Sequence, residues 1–110
     1  MNQIQIIYDK QKKYNIVRSY YIYRDFVENG NYNYSLTLSL CENVEDSSQD
    51  SFDIVFHDIT DFKINDLDNM FRIVLDIEDI TNYQNEFVKF LVKEIEYEMF
   101  SFGCVSIEIL

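Results

Sequence analysis

Tryptophan and proline are absent from this 110-residue chain, glycine and cysteine occur twice each, and histidine once. Each shortage closes off a class of architecture or chemistry. Without proline, and with only Gly30 and Gly103, turns fall to Asn, Asp and Ser, whose short side chains bond to nearby backbone and tolerate left-handed conformations. There is no glycine-rich phosphate loop, nucleophile elbow or zinc-hydrolase signature. Every histidine-dependent reaction has to run through His57. Asp58 beside it could orient a general base, but adjacent strand residues point to opposite faces, which favours an ordinary strand histidine. Cys41 and Cys104 lie in "TLSLCEN" and "SFGCVSI", strand-like surroundings that suit two reduced, buried thiols better than a disulfide framework or a nucleophile.

Basic residues are scarce as well: 9 Lys and Arg stand against 20 Asp and Glu, a formal net charge of -11. Such a charge works against phosphate backbones and against acidic membrane surfaces, so neither nucleic acid nor membrane is an expected partner. A basic protein would be attracted, faster at low salt, although solubility is the plainer meaning of the charge. Acidic stretches such as "EDSSQD" and "DITD" lack the alternating ligands and central glycine of a calcium loop, and one histidine with two separated cysteines does not make a zinc site. No cofactor or metal is expected. The start, "MNQIQIIYDKQKKY", has no basic segment leading into a long apolar one, and no apolar run approaches the roughly 18 residues of a membrane span. The expected location is cytoplasmic.

With 47% hydrophobic residues the chain carries enough apolar surface to offset the entropy of ordering it, so it is read as a single packed domain over residues 1–110. Alternation dominates. "YSLTLSL" places Leu36, Leu38 and Leu40 on one face, "SFDIVF" places Phe52, Ile54 and Phe56 on one face, and "FRIVLDI" does so with Phe71, Ile73, Leu75 and Ile77. Ile59, Phe62 and Ile64 break the alternation, which predicts a bulge or bend near Asp58 to Asp61. "KFLVKEIE" and "FSFGCVSIEIL" read as a hairpin with a second bulge at Gly103. Residues 14–27 fit a Tyr- and Ile-rich strand ending at "ENGN", or a helix presenting Ile16, Tyr20, Tyr23 and Val27; the β-branched and aromatic content favours the strand. Breaks are expected at 9–13, 28–31, 42–50, 65–69, 81–86 and 96–99. The fold class is mainly β, an antiparallel sandwich or barrel-like sheet with room for one short helix.

Tyr20, Tyr21, Tyr23, Tyr32 and Tyr34 form a cluster that suits either a protein interface or aromatic packing along a sheet face, the plainer of the two. The succession "SLTLSL", "FHDITDFKI", "MFRIVLDIEDIT" and "LVKEIEYEMFSFGCVSIEI" resembles small bacterial immunity proteins, the cognate inhibitors of polymorphic toxin and contact-dependent growth inhibition systems. The resemblance covers about the last two-thirds of the chain and rests on strand order, acidic punctuation and the final Phe-Ser-Phe-x-Cys strand. It implies a non-enzymatic protein that binds and neutralises a cognate toxin, and a nuclease toxin with a basic cleft would suit the charge. Candidate contacts are Asp58, Asp61, Asp66, Asp68, Glu78 and Asp79, with the 45–50 loop second; turns and edges favour acidic residues in any case. The competing readings are an acidic DNA mimic that inhibits a host defence enzyme, a structural β-sandwich homodimer and, least favoured, a small enzyme. The Asn-, Ile-, Lys- and Tyr-rich composition suits an AT-rich coding sequence of a bacterium or its phage.

Overall fold

The computed structural model describes residues 2–45, 50–65, 68, 71–83 and 87–110. A helix, α1 (Gln3–Gln11), precedes eight strands: β1 (Ile16–Phe26), β2 (Tyr32–Cys41), β3 (Phe52–His57), β4 (Thr60–Ile64), β5 (Leu75–Asp79), β6 (Phe90–Glu94), β7 (Phe100–Cys104) and β8 (Ser106–Ile109). The strands make two antiparallel four-stranded sheets, in the orders β1-β2-β3-β8 and β4-β7-β6-β5. The mainly β sandwich expected from alternation is what forms, with one short helix.

Residues 14–27 contribute a strand, not a helix. β1 pairs with β2 from Ile16↔Cys41 to Phe26↔Tyr32, with one bulge between Val17 and Ser19. The reversal "ENGN" works because Asn29 (φ 63°) and Gly30 (φ 77°) take consecutive left-handed conformations, closed by the Val27 N–H donating to the Asn31 carbonyl at 2.8 Å.

Two chain segments belong to both sheets. β3 and β4 are one ribbon bent at Asp58 and Ile59, β7 and β8 another bent at Val105, and the Val105 N–H donates to the His57 carbonyl at 3.0 Å across the corner. Asp58 (φ 56°) and Asp61 (φ 51°) are the left-handed residues of the first bend, and the β4–β7 register slips between Thr60 and Lys63. The bulge expected at Asp58 to Asp61 is present, at residues whose side chains tolerate that region. The second phase slip is not at Gly103, which sits in regular register opposite Leu91; it falls at Val105, between inward-facing Cys104 and Ile107. Gly103 instead makes room for a neighbour, since a Cβ there would lie 2.8 Å from Val88 Cγ1.

Leu36, Leu38 and Leu40, with Phe52, Ile54 and Phe56, face Val92, Phe100 and Phe102 across the sandwich. Phe56 meets Phe102 edge-on at 5.1 Å between centroids. In "FRIVLDI" the strand begins only at Leu75: Ile73, Leu75 and Ile77 are buried, whereas Phe71 is exposed.

Helix α1 occupies residues whose 9–13 portion the sequence marks as a break. Asn2 caps it, accepting from the Gln5 N–H at 2.9 Å, and Ile4, Ile7, Tyr8 and Gln11 form its inward stripe. Ile7 is fully buried in the core. The helix also covers the open edge of β5: Tyr8 Oη accepts from the Ile77 N–H at 2.9 Å and donates to the Ile77 carbonyl at 3.1 Å, and Gln11 Oε1 accepts from the Leu75 N–H at 2.8 Å. Side chains here replace a missing strand, satisfying backbone groups that would otherwise template pairing.

Candidate functional site

The β1–β2 hairpin is longer than the sheet opposite it. On its inward face the even-numbered residues continue the alternation that buries Leu36, Leu38 and Leu40, but the core does not cover them: Tyr20 and Ile22, on edge strand β1 opposite Leu38 and Leu36, and Tyr34, beyond Leu36, are about two-fifths exposed, and Phe26 at the far end is 68% exposed. The protein accordingly measures 45 × 29 × 26 Å. Aromatic contacts order this ledge. Tyr32 and Tyr34 meet edge-on at 5.4 Å, and the Arg24 guanidinium lies 5.2 Å from the Tyr32 centroid and 5.6 Å from that of Phe26.

Beneath the ledge runs a groove of about 550 Å³, lined by Ile22, Tyr32 and Tyr34 from the hairpin and by Ile59, Thr60, Asp61 and Phe62 from the bend into β4. A second hollow of about 290 Å³ shares Tyr32, Tyr34, Ile59 and Thr60 and adds Asn33, Asp58, Phe87 and Val105. The described lining of the two is mostly apolar, with two carboxylates, Asp58 and Asp61, and no Lys or Arg. The Ile59 N–H donating to the Tyr34 carbonyl at 3.0 Å ties the backbone of the hairpin to that of the bend.

The acidic residues singled out from the sequence therefore divide. Asp58 and Asp61 both lie at the bend, Asp61 lining the groove and Asp58 the adjoining hollow. Asp61 also borders a shallow depression on the outer face of the second sheet, where Glu78 lies with Asp76, Lys63 and Lys93. Glu78 thus keeps mixed-charge company. Asp79 is exposed at the end of β5, on the edge of its sheet opposite β4, with its carboxylate turned onto Thr81: it accepts from the backbone N–H at 3.0 Å and from the hydroxyl at 2.7 Å, which holds its pKa below the usual value. Asp68 is exposed in a turn; Asp66, and residues 46–49 of the 45–50 loop, lie outside the described residues. The tyrosine cluster divides as well. Tyr20, Tyr32 and Tyr34 share the inner face of the hairpin, while Tyr21 and Tyr23 pair at 5.9 Å on the other, and all five are exposed. The apolar partners Ile22 and Phe26 were not singled out from the sequence, and Phe62 was named there only as a break in alternation; even spacing with Tyr20 and Tyr34 was the available signal for the first two.

The remaining reactive groups are engaged structurally. His57 Nε2 lies 2.8 Å from Glu108 Oε1, a cross-strand contact on the outer face of the first sheet. Both cysteines are free and buried; burial, and then the charge of Asp58, push the Cys104 thiol up to about 12. Among the described residues no three His, Cys, Asp or Glu side chains gather as metal ligands. Glu94 was missed by sequence reasoning. It is 1% exposed, and Oε1 accepts from the N–H groups of Tyr97 (2.8 Å) and Met99 (3.3 Å), Oε2 from those of Glu96 (2.8 Å) and Val74 (3.1 Å). It clamps the β6–β7 turn to the start of β5.

The family model described as Immunity protein PIM8 matches residues 1–109, so the chain belongs to that family of immunity proteins. No curated protein and no solved structure matches it. Membership implies a toxin as partner.

Proposed function

We propose that this member of the PIM8 immunity family works in the cytoplasm, without catalysis, by binding a cognate toxin whose contact surface is basic and which, on charge grounds, acts on nucleic acid. The observation that carries this reading, beyond the family itself, is the placing of Asp61 in the lining of an apolar groove and of Asp58 in that of the adjoining hollow, on a protein of net charge -11. Carboxylates on such a surface take the place of phosphates against a basic cleft, and the field of the whole protein speeds the encounter. Of the remaining acidic candidates, Asp68 and Glu78 are exposed, and Asp79 presents a carboxylate held by Thr81.

The test is co-expression of this chain with the toxin domain encoded beside it, scored for growth and for recovery of a one-to-one complex at low and moderate salt. Growth protection together with a complex that weakens with salt is the expected result. Protection without a complex, or capture of assorted DNA-handling enzymes in place of the toxin, refutes it.

A further inference from the structure

The groove with Asp61 and the hollow with Asp58 share Tyr32, Tyr34, Ile59 and Thr60, and Tyr32 and Tyr34 join both to the apolar ledge, so the three belong to one surface. Buried strand faces normally end where the opposing sheet ends, because exposing large apolar side chains costs about 25 cal/mol per Å². Here the inward face stays open along edge strand β1 at Tyr20 and Ile22 and continues past the core through Tyr34, Tyr32 and Phe26, and an exposed apolar patch of that kind marks a contact surface. The groove below it falls within the range of about 300–1,000 Å³ typical of pockets that take a ligand group. Resting on the toxin-neutralising reading, we infer that this ledge and groove receive an extended toxin segment that presents a Lys or Arg flanked by apolar side chains.

Charge and ring geometry select that occupant. Asp61 lines the groove and Asp58 the adjoining hollow, and no described lining residue is cationic, so an incoming cation meets a carboxylate in each, with Arg24 a cation on the rim. The rings already accept a guanidinium: Arg24 lies over Phe26 and Tyr32 at 5.6 and 5.2 Å, inside the distance at which cation and ring attract. The flanking apolar residues of the segment cover Ile22, Ile59 and Phe62, which no cation satisfies. A second copy of this chain fits less well, since it carries the same charge of -11 and would bring Asp58 and Asp61 of two molecules toward one another. The aromatic residues supply the holding energy and the carboxylates the speed and choice of partner.

The experiment is calorimetric titration of the toxin domain encoded beside this gene into the unaltered protein and into two double variants of the hairpin. Tyr32→Ser with Tyr34→Ser alters the inner face; Tyr21→Ser with Tyr23→Ser alters the outer face of the same strands. All four tyrosines are exposed, and a thermal melt confirms that each variant is folded. The inner-face variant is expected to bind about 30-fold more weakly, as loss of an aromatic anchor does. The outer-face variant is expected to stay within about 3-fold, the usual range for a surface change off the contact. If the unaltered protein binds and both variants match it, the docking inference falls while the toxin-neutralising reading stands. If the unaltered protein does not bind the toxin domain, the reading itself falls. Light scattering supplies the third arm: a dimer that the inner-face variant converts to monomer makes the occupant a second copy and overturns the inference.

Discussion

Replacing Glu94 by glutamine changes one atom of a buried side chain, and the geometry around that atom sets the expected cost. Each carboxylate oxygen accepts from two backbone N–H groups, Oε1 from Tyr97 and Met99 and Oε2 from Glu96 and Val74. Glutamine has one acceptor and one donor, so whichever way the amide is turned, two N–H groups face an NH₂ and lose their partner. A hydrogen bond to a charged group contributes roughly 1.5–3 kcal/mol, and leaving a buried donor unpaired costs about as much, so about 3 kcal/mol is expected even after local relaxation. For a domain of this size each kcal/mol moves Tm by about 4 °C, which places the Glu94→Gln melt about 12 °C below that of the unaltered protein. Paired thermal melts followed by far-UV circular dichroism, with urea titrations to check that the unfolding slope is unchanged, give the answer. A drop below about 3 °C would mean that Glu94 is exchangeable, and that the β6–β7 turn is held by its backbone alone.

Removing the hydroxyl in Tyr8→Phe strips the Ile77 N–H and carbonyl of their partner and should cost about 1–2 kcal/mol, read as a fall in the urea midpoint; an unchanged midpoint would show that water replaces it without penalty. Neutralising the bend with Asp58→Asn and Asp61→Asn keeps side chains that tolerate the left-handed region and should slow association with the toxin domain about 3- to 10-fold at low salt, with a flatter salt dependence, in stopped-flow mixing. Unchanged on-rates would remove the electrostatic account. Cys104 and Cys41 should resist a thiol reagent at pH 8 in the folded protein and react once guanidinium is added; a thiol that reacts quickly in the native state contradicts their burial. Because the folded Cys104 pKa is raised from 9.0 to about 12, the unfolded chain ionises first. Its contribution to stability is therefore complete below pH 9.0 and is lost as pH rises toward about 12, a slope that Cys104→Ala should flatten.

Alternation was enough to read most of the strands. Leu36, Leu38 and Leu40, and Phe52, Ile54 and Phe56, face the core as their spacing says, and the break at Ile59 is the bend that carries the chain from one sheet to the other. Helix α1 escaped because isoleucines and a Lys-rich end obscure a stripe of four inward residues, one of which, Tyr8, serves an edge 69 residues away. Glu94 escaped for a related reason: in "KFLVKEIE" it is one charge among several, and only the turn that folds back over it supplies the donors that make burial tolerable.

Of the candidate site, the sequence by itself determined the sign of the charge, the acidic bend at Asp58 and Asp61, and the presence of a tyrosine-rich segment. The family match on residues 1–109 agrees with the kind of protein its strand order resembles. The tertiary structure decided which of those residues share a surface. Tyr32 and Tyr34 continue the alternating face that holds Leu36 and Leu38, yet the leucines are buried and the tyrosines exposed. Side-chain parity is a local property of a strand, written in every second residue; whether a face is covered depends on how far another sheet reaches, and that is settled by residues distant in the chain.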